Sequence, residues 1–202
     1  CGCHSALPLF RSKMLAFEVR ALDRHHLRRI QSIHKDFNQR RSRLDLSRAT
    51  VERDAVHEQI ASAGLVLIAG GHVAVLLNRM RLFQLAGEIA KKPLIAWSAG
   101  AMALSERVVL FHDHAPQGRR DAELLDTGLG IVRQRILLPH GRTRLDWKNT
   151  RRMALLSRRF APAACCTLDS GSLLKFEDDR LVEAHGAVQV TSKGRRQPVT
   201  PS

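Results

Sequence analysis

Two short stretches decide the fold class: LVLIAGG at residues 65–71 and PLIAWSAGA at residues 93–101. Each opens with a continuous run of apolar residues, which is typical of a strand buried on both faces of a sheet. Between them, apolar residues recur at helical spacing as far as Lys91, and Pro93 prevents the helix from continuing. This strand–helix–strand order predicts parallel βαβ packing and the α/β class.

The same periodicities predict the remaining elements. Helices are expected over residues 50–64, 73–91, 99–104 and 150–159, and strands over 65–69, 94–97, 108–111, 131–138, 163–168, 172–176, 181–183 and 188–191. We therefore expect three segments. Residues 1–46 are a basic segment that is poorly packed or an exposed helix, residues 47–192 are the α/β domain, and residues 193–202 are a disordered basic tail.

Composition excludes some classes of protein and keeps others open. No window approaches the ~18 consecutive apolar residues of a membrane span. The net charge of +14 suits a nucleic-acid binder, but the basic residues are diffuse and the chain has no Tyr to stack on bases. The four cysteines, two of them adjacent, do not form a disulfide framework, which indicates a reducing, cytoplasmic setting. Cys1-x-Cys3-His4 has no second ligand pair at metal-site spacing, so we expect neither metal nor cofactor.

The pattern small-x-Ser-x-Gly at residues 96–100 carries the chemistry. At a strand-to-helix turn it predicts a nucleophile elbow, in which Ala96 and Gly100 permit a sharp fold and Ser98 exposes its hydroxyl. The N–H of Ala99 would face developing negative charge, and Gly70-Gly71 could supply a second donor. The alternative is that Ser98 merely caps the following helix.

Gly70-Gly71, followed one helix and one strand later by Trp97-Ser98-Ala99-Gly100-Ala101, resembles the peptidase E and cyanophycinase family of serine peptidases. Pro139-His140 is similar to the family's Pro-His-Phe, and Asp113 lies in a loop similar to its Asn-Asp-Met-Pro segment. The resemblance covers residues 50–190. It implies a class I glutamine-amidotransferase-like fold, flavodoxin/Rossmann-like, with a mainly parallel sheet, although this chain then lacks the family's first strands or has a replaced N-terminus.

The resemblance also implies roles for single residues. Ser98 is the nucleophile, His140 the base and Asp113 the acid that orients the base, with Asp169 as the alternative acid. The end of a parallel strand is a place from which His140 can reach the catalytic edge, and His112 and His114 are its competitors. Neighbouring side chains on a strand point to opposite faces, so Asp169 need not reach His140.

We therefore expect a serine-type hydrolase, a dipeptidase or isopeptidase acting on small peptides, with aspartyl-containing ones implied by the resemblance. The Arg-rich helix after His140 could attract a carboxylate. The main alternative is a catalytically impaired relative that serves as a binding or scaffold protein. His72 in the Gly-Gly loop and Ser170, where the family has a glutamate, motivate that alternative. A second copy of the chain could complete the sheet.

Overall fold

The structure is a computed structural model that describes residues 6–41, 47–111 and 122–201. The predictions for Asp113, His112 and His114 fall outside these residues. The helices are α1 Ala6–Arg41, α2 Ser47–Ser62, α3 Val73–Leu82, α4 Ala86–Ile89, α5 Ala99–Leu104, α6 Gly141–Arg144 and α7 Thr150–Phe160. The strands are β1 Val66–Ile68, β2 Leu94–Ala96, β3 Arg107–Phe111, β4 Ala122–Thr127, β5 Arg135–Pro139, β6 Ala164–Leu168, β7 Leu173–Glu177, β8 Arg180–His185, β9 Val188–Val190 and β10 Arg196–Pro198.

The fold is mixed α/β, as predicted, but its strands form several small sheets instead of one mainly parallel sheet. In the described residues β1 pairs with β2, β3 with β4 and β7 with β8, and the fourth sheet has the order β10-β9-β6-β5. Of the pairs between these described strands, β1–β2 and β5–β6 are parallel and the other four are antiparallel. The short connections from β7 to β8 and from β9 to β10 require antiparallel pairing, because a parallel pair needs a crossover of a dozen or more residues.

Helix α5 occupies the centre of the larger core. All six of its residues are buried, and it packs against α3, β3 and β5. Gly100 allows the close approach to β1, because a Cβ there would lie 2.3 Å from the carbonyl oxygen of Ile68. The helix that follows Ser98 is therefore pressed onto the neighbouring strand.

Two local predictions are corrected inside the domain. The helix expected over residues 73–91 is two helices, because Gln84 adopts φ 56° and interrupts the hydrogen-bond ladder between α3 and α4. Strand β4 was not predicted from its sequence, AELLDT, which does not alternate apolar and polar residues. It exists through pairing with β3 and packing against α1.

The C-terminal tail is also corrected, because residues 196–198 are a strand and not a disordered segment. Arg196 pairs with Val190 in the β10–β9 ladder, and the Val199 N–H donates to the carbonyl of Ala187 at 3.0 Å. Val199 is buried in the core. Pairing with β9 satisfies the backbone of a segment whose polar composition alone favours disorder.

Within the basic N-terminal segment, residues 6–41 form α1, which is docked on the domain. Asp23 of α1 receives two hydrogen bonds from the Arg159 guanidinium, at 2.7 Å each, and Arg20 donates to the carbonyl of Ala161. Near the other end of α1, His34 lies 3.2 Å from the carboxylate of Asp126, which also binds Arg81. Among the described residues no helix is long and apolar enough to cross a membrane.

Candidate active site

The turn between β2 and α5 places Ser98 in an unusual backbone conformation. The Trp97 N–H donates to the carbonyl of Ile68 at 3.2 Å, and Ser98 then adopts φ 53° and ψ −123° before α5 begins at Ala99. The Ser98 side chain makes no capping hydrogen bond to this helix. Residues other than Gly enter such regions at an energetic cost, and these conformations cluster at functional sites.

The loop after β1 lies directly against the Ser98 side chain. A Cβ on Gly70 would lie 3.0 Å from the Ser98 Cβ and 3.1 Å from its Oγ, so any larger residue there would crowd the Ser98 side chain. Gly71 adopts φ 134°, which side chains rarely permit. The N–H of Ala99, the first residue of α5, has no acceptor within its own helix. Main-chain groups of two segments therefore surround the Ser98 hydroxyl.

His140 follows β5 in a second positive-φ turn, with φ 60° and ψ 38°. Its N–H donates to the carbonyl of Leu168 at 3.0 Å, and its own carbonyl accepts from the Arg144 N–H at 3.0 Å. The residue is exposed. The main chain is thus fixed while the side chain stays accessible to solvent and substrate.

Asp169 lies beside this turn at His140, which we call the His140 corner. The parallel register pairs Pro139 with Leu168, and both strands end there. Its Oδ1 accepts from the Arg142 N–H at 3.0 Å, and its Oδ2 lies 3.9 Å from the Arg142 Nε. The carboxylate therefore holds the main chain just after His140. No local pattern indicates this contact, because the acceptor and the donor are 27 positions apart in the chain.

Asp126, a partly buried carboxylate at the end of β4, is bound by Arg81 and His34. Its carboxylate is held by Arg81 at 2.6 Å and by His34 at 3.2 Å. Burial raises the pKa of Asp126, but the hydrogen bonds and charges of Arg81 and His34 outweigh burial and leave that pKa below its ordinary value. This carboxylate is a structural ion-pair partner between β4, α3 and α1.

The two cysteines that the structure describes are not nucleophiles at neutral pH. Both are buried in β6, and burial raises the pKa of Cys165 to about 12 and also raises that of Cys166. A protonated, buried thiol is inert. The described residues also contain no cluster of three or more His, Cys, Asp or Glu side chains able to hold a metal ion. Among the described residues, the Ser98 hydroxyl at its strained turn is therefore the candidate nucleophile.

Comparison with known families identifies the family of the chain. The model of peptidase family S51 matches residues 19–184, so the match begins within α1, upstream of the resemblance noted from residue 50. A search of curated proteins gives no match. The matched segment includes the positive-φ turns at Ser98 and at His140, and it spans well over half of the chain. The chain therefore belongs to peptidase family S51, the peptidase E family of serine peptidases.

Proposed function

We propose that this protein is a dipeptidase or isopeptidase that uses Ser98 as its nucleophile. The observation that carries the proposal is the backbone of Ser98, strained at φ 53° with the Gly70 main chain against its side chain. A serine needed only for capping would accept a hydrogen bond from its helix, and Ser98 does not do so.

In the proposed mechanism the Ser98 Oγ attacks the carbonyl carbon of the scissile bond while His140 accepts the hydroxyl proton. The N–H groups of Gly71 and Ala99 bind the resulting oxyanion. Collapse of the tetrahedral intermediate breaks the C–N bond, and His140 returns the proton to the leaving amine. Water then attacks the acyl-enzyme by the same route and releases the acid product. Asp113 is the proposed orienting acid, with Asp169 as the alternative.

The proposed class I glutamine-amidotransferase-like arrangement explains how two corners can serve one reaction. Ser98 follows β2 of one parallel pair, and His140 follows β5 of the other. Helix α5, which begins after Ser98, packs against β5 and links the two pairs. In doubly wound folds ligands bind at the carboxyl ends of the parallel strands, which is where both residues lie.

Aspartyl-containing peptides are the proposed substrates. The helix just after His140 carries Arg142 and Arg144, and α7 carries further basic residues. The Arg142 side chain is 76% exposed, so it can turn toward a ligand. Arginine binds carboxylates with paired hydrogen bonds, which suits a peptide with an acidic side chain.

A fluorophosphonate probe tests the nucleophile. The wild-type full chain should be labelled at one serine, and Ser98→Ala should abolish labelling. Ser62→Ala is the matched control, because Ser62 lies at the end of α2 and its hydroxyl donates to the carbonyl of Gln59 in its own helix. Labelling of the Ser98→Ala variant at the wild-type level would remove Ser98 from the mechanism.

A binding or scaffold role is the second candidate. It is favoured by the carboxylate of Asp169, which holds the Arg142 main chain instead of the imidazole of His140. This candidate requires that the folded wild-type protein stay unlabelled by the probe and that Ser98→Ala retain every partner. Specific labelling of Ser98 would contradict it.

A further inference from the structure

The corner that carries His140 is braced by residues far away in sequence. The Trp147 Nε1–H donates to the carbonyl of Gly141, the residue after His140, at 2.9 Å. The guanidinium carbon of Arg196 lies 4.4 Å from the centroid of the Trp147 ring. Arg196 belongs to β10, which is held by pairing with β9. The C-terminal tail therefore reaches the His140 corner through one indole ring.

The conformation of this corner requires such support. His140 is left-handed, with φ 60° and ψ 38°, and a side-chain-bearing residue stays there only when its surroundings compensate for the strain. The His140 N–H donates to the carbonyl of Leu168, and the N–H of Arg142, two residues further on, donates to the carboxylate of Asp169. Both of these contacts come from the β6 side. The indole of Trp147 is an additional anchor, supplied from the loop after α6.

Gly141 is enclosed between these two sides. A Cβ on Gly141 would lie 2.3 Å from the Cγ2 of Thr167, and Thr167 is itself only 1% exposed. The corner thus already touches β6 and cannot move closer to it. On its other side, the hydrogen bond from Trp147 to the Gly141 carbonyl keeps the corner from moving away.

We propose that Trp147 and Arg196 are positioning residues, which fix the His140 corner so that the imidazole meets Ser98 and substrate in the reactive geometry. This inference rests on the proposed role of His140 as the base. Trp147 acts through the Gly141 carbonyl, and Arg196 acts through the Trp147 ring. Neither residue needs to touch the substrate. A displacement of ~1 Å at a reacting group can lower the rate ~10²-fold. A small shift of the main chain at this corner should therefore lower the rate measurably.

The test measures the rate constant and the final extent of fluorophosphonate labelling in the full chain, across pH. Trp147→Phe keeps a ring but removes the N–H donor, and it should slow labelling ~10- to 100-fold while the same fraction of molecules is finally labelled. Arg196→Ala should slow it ~2- to 5-fold, the worth of an exposed cation–π contact. Arg196→Lys, which keeps the cation, should restore most of the rate.

Arg195→Ala is the control for the tail. The Arg195 N–H donates to Thr191 Oγ1, a main-chain contact that alanine retains, so this variant should label at the wild-type rate. His140→Ala is the reference for a missing base, and its labelling should lose the rise with pH. The Trp147 and Arg196 variants should keep that rise with a lower plateau, since the base is present but misplaced.

The outcomes separate this inference from the proposed function. If His140→Ala is slow while Trp147→Phe and Arg196→Ala label at the wild-type rate, the positioning role is wrong and the base is retained. If the variants lower the labelled fraction and the Tm but not the rate constant, they act only on stability, which also overturns the inference. If His140→Ala labels normally, the proposed base fails and the positioning role fails with it.

Discussion

The Ser98 corner and the His140 corner share one design but obtain their support from different distances along the chain. Each follows a parallel strand and places a residue other than Gly at positive φ, 53° at Ser98 and 60° at His140. The Ser98 corner rests on contacts within residues 68–100, chiefly those of Gly70 and Gly100. The His140 corner rests on Leu168, on Thr167 and, through Trp147, on the C-terminal tail.

The Ser98 corner is therefore encoded by residues near it in sequence, whereas the His140 corner is assembled from residues far apart in sequence. Small residues close to Ser98 in sequence create the space in which it turns. The corner at His140 instead depends on contacts from β6, from the loop after α6 and, through Trp147, from β10. Ser98, the proposed nucleophile, should therefore tolerate changes far away in sequence, whereas His140, the proposed base, should respond to them.

The largest effect on activity is expected from removing the side chain of Ser98 or that of His140. Ser98→Ala and His140→Ala should each lower kcat/KM on an aspartyl dipeptide by ~10³-fold or more, because nucleophile and base act as one unit. The double variant should be scarcely worse than either single one. Melting curves confirm that each variant is folded. Losses that multiply in the double variant would mean that the two corners act independently.

Breaking the ion pair between α1 and α7 should give the largest loss of stability. Asp23 and Arg159 are 12% and 16% exposed at their side chains, so Asp23→Ala leaves a largely buried guanidinium without its carboxylate. We expect a loss of ~3 kcal/mol in the free energy of unfolding, measured by urea titration.

Asp54→Ala is the matched control for this ion pair. Asp54 is 57% exposed in its pair with Arg53, and its loss should cost under ~1 kcal/mol. Equal losses from Asp23→Ala and Asp54→Ala would contradict the view that α1 is part of the packed fold.

Adding a methyl group to each corner compares them directly. A Cβ at Gly100 meets the main-chain carbonyl of Ile68, and one at Gly141 meets the Thr167 side chain, both at 2.3 Å. Each alanine variant should lose ~1–3 kcal/mol, with Gly100→Ala the worse, because a strand carbonyl yields less than a side chain.

Gly87→Ala is the control for added volume. It lies in α4, where a Cβ would meet nothing within 4 Å, and alanine there should gain ~0.4–1 kcal/mol. If Gly141→Ala proves the costlier of the two corner variants, the His140 corner is the more rigid one.

The smallest effect concerns Asp126 in acid. Its pKa is lowered in the fold, so the unfolded chain binds a proton more readily and the carboxylate stabilises the fold above its ordinary pKa of 3.8. That contribution is lost as the pH falls below this value and through the folded pKa. The Tm difference between wild type and Asp126→Asn should therefore narrow from pH 7 towards pH 3. A difference in Tm that stays constant over this pH range would show that the ion pair with Arg81 does not determine how stability falls in acid.

Prediction from sequence worked best where the signal is local. The strands at residues 65–69 and 94–97 and the helix after Ser98 were confirmed as β1, β2 and α5. Prediction failed for β4 and for the tail, since each exists through a partner strand that lies elsewhere in the chain. The role of Trp147 could not be foreseen either, because an indole between charged residues carries no sign of the carbonyl that it will bind.

The sequence by itself determined the α/β class and the strand–turn–helix unit at Ser98, because continuous apolar runs demand burial and small residues permit the sharp turn. Only the tertiary structure decided the division into small sheets, the docking of α1 and the bracing of His140 by Trp147 and Arg196. The physical reason is the range of the interactions. Propensity and periodicity act between neighbours, whereas strand pairing and buried ion pairs join residues that meet only once the chain has folded.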